Sequence, residues 1–508
     1  MSRISSLLVG AISVAVVLFF VSSCQFSQSE KFANQYVTYC GSCHALPSID
    51  DLPKHIWRDN VLPEMGAKMG MRDSTYSPYQ GLSFRQMEAV MKTGHYPSQP
   101  MMSVEDWSQL KEYIISLAPD SLSATSDEVE VSLDQFVPEP IALDDSGGAF
   151  TAFLAFDEQQ GKIMTANLSG QLVTYDYPSR TTVKISSFGN ALTAYHGGAA
   201  RQYATLIGIL NPSELKSGQV YSIVDGQHEV IADGLHRPVH TLIRDLNQDG
   251  QDEIIISEFG HLTGELSLLT KGDTGYQKET LYAMPGVVRV VAEDMNGDGL
   301  EDLVFMASQG REGVFILYQE ERLSFRREQV IGFSPVYGSS WFEMVDYDGD
   351  GDQDIITVNG DNADYSVVLK PYHGVRVFLN DGHNQFSEAY FRPIHGATRL
   401  TVRDFDQDGD MDMAVVATFP DYATTPLQSF VYLENQNSDQ FVFEAQTFTQ
   451  ADTGRWLVMD AGDVDQDGDE DLILGSFTYS FVYVPDSLSE TWNANRVDLM
   501  VLENQLVR

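Results

Sequence analysis

Only three cysteines, Cys24, Cys40 and Cys43, occur in 508 residues. So sparse a set excludes a disulfide-stapled scaffold unless two of them pair, and leaves them for special chemistry. Positive charge is equally scarce: 31 Lys plus Arg stand against 73 Asp plus Glu, a net charge of −42. That balance excludes a nucleic-acid backbone as the main partner, which would need clustered cations. Cations are the natural counterpart instead. No Ser-His-Asp order, zinc-ligand spacing or nucleotide-binding loop rises above background. What is plentiful is apolar side chain, 43% of the residues, enough for a large core spread over about two to four domains.

The one long apolar run, residues 4–21, follows Arg3 and ends in Val21-Ser22-Ser23-Cys24. Small residues directly before a cysteine read as an export signal with its cleavage point. The segment resembles a bacterial lipoprotein signal, with Val21 where Leu is most usual. The resemblance implies removal of residues 1–23 and lipidation of Cys24, which would anchor the chain to a membrane of the bacterial cell envelope, facing the periplasm or the outer surface. An uncleaved anchor is the alternative, since 18 helical residues rise about 27 Å and nearly span a bilayer core. Both readings put the remainder outside the cytoplasm.

Cys40-Gly41-Ser42-Cys43-His44 has the C-x-x-C-H spacing at which two thiols reach the vinyl groups of one porphyrin and the adjacent imidazole reaches its iron. A redox dithiol is the competing reading, weakened because no other thiol remains to exchange with once Cys24 is lipidated. Residues 24–118 resemble a small monohaem cytochrome c domain. The resemblance implies one covalent haem c held by Cys40, Cys43 and His44, a closing helix over Val104 to Leu117, and a second axial ligand, commonly methionine. The stretch Trp57 to Met65 resembles the W-x-x-x-V-x-x-x-M segment of short extracytoplasmic cytochromes and nominates Met65. Met101 and Met102, just before the closing helix, come next, then Met69.

Residues 119–134 (PDSLSATSDEVEVSLD) have linker composition. Beyond them, one pattern, D-x-[D/N]-x-D-G-x-x-[D/E] followed by an aliphatic run, recurs five times, with start-to-start spacings of 49, 52, 58 and 59 residues. Its oxygen-bearing residues at positions 1, 3, 5 and 9 are Asp245, Asn247, Asp249, Glu253; Asp294, Asn296, Asp298, Asp302; Asp346, Asp348, Asp350, Asp354; Asp404, Asp406, Asp408, Asp412; and Asp463, Asp465, Asp467, Asp471. Such a set, with Gly at position 6 for the sharp turn, suits a hard cation, and an all-protein oxygen loop outside the cell suits Ca2+ better than Mg2+. About five calcium ions are expected. An EF-hand is excluded by the β-rich flanks and by the lack of a Glu at position 12 in each loop. Counting every Asp and Glu, the five nine-residue segments hold 24 acids in 45 residues, and five calcium ions would bring the net charge to −32.

The segments resemble the FG-GAP or VCBS repeats of integrin-like β-propellers, over residues 135–508. The resemblance implies four-stranded blades with each acidic loop joining first and second strands. Two further β-rich units, between about Gly148 and Leu235, lack the loop, which makes seven blades. The chain ends on what reads as a third strand (VDLMVLEN), while Asp134 to Glu139 (DQFVPE) echoes the fourth strand DQFVFE at Asp439 to Glu444. An N-terminal strand would therefore close the ring and leave no open edge.

The fold class is thus a small all-α cytochrome c domain followed by an all-β seven-bladed propeller. In such propellers the starts of the first strands line a central funnel, where this sequence has His240, Arg289, Trp341, Arg399 and Arg455, a set suited to an anion or polar ligand or to ion pairs between blades. The loops between second and third strands of the last three blades carry Tyr365, Tyr372, His373, Phe419, Tyr422, Tyr479, Phe481, Tyr483 and Trp492, read as an exposed recognition surface. Together these features point to a membrane-anchored electron carrier or binding protein, rather than a complete enzyme, that meets a redox partner protein or a small ligand or glycan. The alternatives are a haem-linked dehydrogenase with its substrate in the funnel, and a surface binding or adhesion protein.

Overall fold

A computed structural model describes residues 29–123, 127–144, 147–198, 201–363, 366–480 and 482–506. The signal segment, Cys24, Tyr365 and Phe481 lie outside the described residues. Among the described residues no helix is long and apolar enough to cross a membrane. The chain divides into two compact units, one of residues up to Gln80 with Gly94–Leu122, the other of Gly81–Thr93 with Ser123 onward.

The first unit is helical, with few helices. In Val104–Leu117, Trp107, Leu110 and Ile114 fall three and four residues apart, so one face is apolar and buried. Ser103 caps this helix by accepting from the Asp106 N–H at 3.0 Å, and the helix stops before Pro119. The Trp107 indole lies against Gly66, where a Cβ would come within 3.0 Å of the ring. The Trp57 indole N–H donates to the Ile49 carbonyl at 2.9 Å. Leu52, Ile56, Leu62 and Met69 complete the core.

The second unit contains seven sheets, each one blade. Blades 1 to 5 each use four consecutive antiparallel strands, starting at Thr151, Leu192, Pro238, Val287 and Ser339. Blade 6 (Ala397–Arg403 through Val442–Thr447) gains a fifth strand, Glu130–Val131, which pairs in parallel with its outer strand. The later part of the stretch read from sequence as linker thus lies on this blade, where the Asp127 carbonyl also accepts from the Gln428 amide at 3.3 Å. Blade 7 has only three C-terminal strands, Trp456–Gly462, Asp471–Ser476 and Leu499–Asn504. Its fourth is Phe136–Ile141, antiparallel to the last of these with Phe136 opposite Asn504. Blade 7 then meets blade 1: the Phe156 N–H donates to Asp460 at 2.8 Å, and Ile163, Leu154, Ile473 and Val501 share one core cluster. The ring is closed.

In blades 3 to 7 the second strand (EIIISE, DLVFMA, DIITVN, DMAVVA, DLILGS) is buried at every residue. A strand covered on both faces by neighbouring blades needs a continuous apolar run, which is the aliphatic run that follows each acidic loop. Outer strands such as Gly275–Tyr282 and Ser324–Gly332 are mostly exposed and polar.

Candidate functional site

The thiol pair sits at the end of the first unit's opening helix, whose last turn, Tyr36–Cys40, is widened. Cys40 and Cys43 are not joined to each other. Burial raises the Cys40 thiol to about 11, so it is a poor thiolate at neutral pH. His44 Nδ1 is hydrogen-bonded to the Ala45 carbonyl at 2.7 Å, an arrangement that fixes the ring and leaves Nε2 for a metal. Val37, Leu46 and Leu117 expose 58%, 37% and 50% of their surface. Leu46 and Leu117 line, with Tyr36 and Pro47, an open groove of about 510 Å³. Two unjoined thiols, an oriented imidazole and uncovered apolar side chains fit a haem c. Of the candidate second ligands, Met65 and Met102 are half-buried, Met69 is buried, and Met101 is exposed. The Met101 N–H donates to the Met69 carbonyl at 3.0 Å, which brings those two segments together. Beside Met65, the fully buried Glu64 accepts from the hydroxyls of Tyr76 and Tyr96.

All five acidic loops join the first and second strands of blades 3 to 7. The position-6 glycines, Gly250, Gly299, Gly351, Gly409 and Gly468, have φ between +85° and +103°, where a side chain is strained. Each donates its N–H to the position-1 carboxylate at 2.8–3.2 Å. The loops are thereby wrapped with their carboxylates turned inward. In three of them the acid oxygens converge within 4.8 Å of one another: Asp346, Asp348 and Asp354; Asp404, Asp406 and Asp408; Asp463, Asp465 and Asp471. Asp346 Oδ1, Asp404 Oδ1 and Asn247 Oδ1 are buried without a hydrogen-bond partner. Orphaned, converging, like-charged oxygens fit a hard cation.

Position 9 has a second duty that the sequence pattern did not reveal. One oxygen of Asp302, Asp354, Asp412 and Asp471 accepts from the position-2 N–H of its own loop, at 2.8–3.2 Å. The other accepts from the backbone N–H of Gln319, Asn380, Asn435 or Asn504 at the end of the third strand, at 2.7–2.8 Å. Glu253 accepts from the Leu246 N–H and the Asn247 amide. Burial, opposed by these hydrogen bonds and reinforced by neighbouring loop carboxylates, pushes Glu253, Asp412 and Asp471 to about 7 and Asp302 and Asp354 to about 6.

Four of the five residues proposed for the funnel do come together. His240, Arg289, Trp341 and Arg399 each follow a bulge in the first strand of blades 3, 4, 5 and 6. Trp341 reaches three other blades: the guanidiniums of Arg399 and Arg289 lie 3.6 and 4.3 Å from its ring centroid, and the His240 ring stands edge-on at 6.4 Å. Glu343 pairs with Arg289 at 2.5 Å and accepts from the Trp341 indole N–H at 3.0 Å. Burial first, then Arg289, lowers Arg399 to about 10. These contacts stitch blades together. Arg455 stands apart, donating to the carbonyls of Phe477 and Tyr479 with its guanidinium 5.1 Å from the Phe419 ring.

The loop aromatics are mostly packed, contrary to the reading as an exposed surface. His373, Tyr422 and Trp492 are buried, and the Trp492 indole donates to the Asp452 carbonyl at 2.7 Å. Tyr372 stacks on Tyr337 at 4.9 Å. Tyr479 and Tyr483 stay exposed, at 44% and 82%. Aromatic count alone does not tell a loop that packs its own rings from one that presents them.

A family model described as an FG-GAP-like repeat matches residues 294–357 and 358–415, spans that between them contain the acidic loops of blades 4, 5 and 6. No curated protein matches the chain in sequence. Among solved structures the chain is similar to the N-terminal domain of Nup159, at 10% identity over 75% of this chain and 99% of that one, TM-score 0.42. It is also similar to the β-propeller domain of Cps50 (Swd1) from Myceliophteria thermophila, at 9% identity over 73% of this chain and 100% of that one, TM-score 0.42. The chain carries FG-GAP-like repeats within a seven-bladed β-propeller.

Proposed function

We propose that the chain is an exported, lipid-anchored c-type cytochrome whose calcium-held propeller docks a redox partner or ligand in the bacterial cell envelope. The observation that carries this reading is the site at Cys40, Cys43 and His44: two thiols left unjoined, one imidazole with Nδ1 fixed by a backbone carbonyl, and the exposed Val37 and Leu46 against Gly41 between the thiols. A haem c bound there supplies one-electron transfer at an iron. The chain's own part is to hold and shield it. Cys40 and Cys43 fix the porphyrin, His44 presents Nε2, and Leu46 and Leu117 exclude water from its edge. Met65 is the leading second ligand, ahead of Met101, Met102 and Met69. The acidic loops take calcium, which cancels the repulsion among their carboxylates and keeps the first two strands of blades 3 to 7 in register.

A second reading, a surface binding or adhesion protein, is favoured by the FG-GAP-like repeats themselves. A dehydrogenase with its substrate in the funnel is less favoured, because Trp341 reaches residues of blades 3, 4 and 6 there. Production in a host with c-type haem maturation separates these readings. Haem retained on the chain after denaturation, and lost in Cys40→Ala and Cys43→Ala, is the expected result. A colourless wild-type protein from that host would overturn the cytochrome reading.

A further inference from the structure

The acidic loops of blades 3 to 7 are joined into one hydrogen-bonded chain by side-chain amides that touch no candidate calcium ligand other than through the backbone. At the end of the third strand of blade 4, the Gln319 amide donates to the Glu301 carbonyl, position 8 of its own loop, at 2.9 Å, and to the Leu246 carbonyl, position 2 of the blade 3 loop, at 3.2 Å. In blade 7, Asn504 does the same, to the Glu470 carbonyl at 3.0 Å and the Phe405 carbonyl of the blade 6 loop at 2.8 Å. In blade 6, Asn435 donates to the Met411 carbonyl at 3.1 Å and to the hydroxyl of Tyr347, position 2 of the blade 5 loop, at 3.2 Å. Blade 5 uses two amides: Asn380 donates to the Gln353 carbonyl and to Asn384, and Asn384 donates to the Met295 carbonyl of the blade 4 loop at 2.7 Å.

Four successive interfaces therefore repeat one arrangement with different residues. The position-2 residue of one loop holds that loop's position-9 carboxylate with its N–H, and accepts with its carbonyl or hydroxyl from the next blade's amide. The backbone N–H of the amide-bearing residue at the strand end, in turn, holds the next loop's position-9 carboxylate. Fixing one loop fixes the partner that its neighbour needs.

We propose that Gln319, Asn384, Asn435 and Asn504 are positioning residues that couple the five loops, so that filling one with calcium raises the affinity of the next. This inference rests on the calcium reading above. The coupling belongs to two-ended hydrogen bonds, whose loss removes a partner from a neighbouring loop and not only from its own.

The test is calcium titration of the calcium-free full chain by calorimetry and by competition with a fluorescent chelator. Wild type should bind five ions with a steep, cooperative isotherm. Asn435→Leu should still bind five, with the steepness reduced and the average affinity about five-fold weaker. Emptying the blade 6 loop with Asp404→Asn, Asp406→Asn and Asp408→Asn should leave four sites and weaken those of blades 5 and 7. Should Asn435→Leu fail to fold, Gln319→Met probes another interface, and hydrogen exchange of the Leu246 and Phe405 amides reports coupling directly: emptying a neighbouring loop should speed their exchange. Five or four independent sites with unchanged affinities would overturn the coupling and leave the calcium reading standing. No calcium uptake by wild type would overturn both.

Discussion

Closure of the ring by Phe136–Ile141 can be tested at one side chain. Phe136 is 2% exposed, and its ring meets Tyr432 and Phe405 edge-on at 5.4 and 6.1 Å, in a cluster that also holds Trp456, Leu472 and Leu502. Truncating a buried phenylalanine removes its transfer free energy and leaves a cavity, about 3–5 kcal/mol together. Part of that, about 0.5–1.5 kcal/mol, comes from the aromatic pairs. Val137, next along the same strand, is 45% exposed, so Val137→Ala should cost less than about 0.5 kcal/mol. Both variants keep the backbone pairing with Leu499–Asn504, so their difference isolates burial. Guanidinium denaturation of the calcium-loaded protein, followed by far-UV circular dichroism and tryptophan fluorescence, measures both. Equal shifts for Phe136→Ala and Val137→Ala, or a loss below about 1 kcal/mol for Phe136→Ala, would refute closure by this strand. Deleting residues 132–142 should go further and expose the edge of Leu499–Asn504, giving aggregation.

Further outcomes follow from the loops and the axis. In the calcium-free protein the position-9 acids are held at about 6 to 7, above the unfolded carboxylate range near 4. Their contribution to stability is present below about pH 4 and is lost as pH rises through 6 to 7. Chelated protein should therefore melt lower at pH 8 than at pH 5.5, and added calcium should reverse the order; a flat profile in chelator would contradict the account. At the axis, Glu343→Gln leaves Arg289 and Arg399 on one indole with their nearest counter-charge gone, and should cost about 3 kcal/mol by denaturation, with part recovered in Arg289→Met with Glu343→Leu. Gly66→Ala should lower the melting point of the first unit, since the new Cβ meets the Trp107 ring at 3.0 Å.

Much of the propeller is legible in the sequence because its signals are local and repeated. Each acidic loop carries its own turn glycine, and each is followed by the apolar run that a twice-covered strand requires. The missing strand at the C-terminus is legible because an open edge demands a partner, and Phe136 supplies the only aromatic ring of that segment. The amide chain is not legible in the sequence, although Asn380, Asn435 and Asn504 stand at the same place in VFLN, VYLEN and MVLEN. Their role depends on which carbonyl the neighbouring blade presents, and only the assembled ring shows that. Spacing already sets Arg455 apart, since it stands eight residues before its loop where His240, Arg289, Trp341 and Arg399 stand five before theirs; its place just before the strand Trp456–Gly462, and not after a bulge, sends it toward Phe477 and Tyr479. In the helical unit, C-x-x-C-H is a fixed local pattern, whereas the methionine that the proposed haem would take depends on folding, and the sequence offers Met65, Met69, Met101 and Met102 alike.

On the proposed reading, this chain carries electrons singly on a covalent haem held by Cys40, Cys43 and His44. A spectroelectrochemical titration of the full chain, matured with haem and loaded with calcium, tests it most directly. One reversible one-electron wave per chain, lost in His44→Ala, is expected. A protein with no redox-active chromophore, or one that cycles only as a two-electron couple, would contradict it.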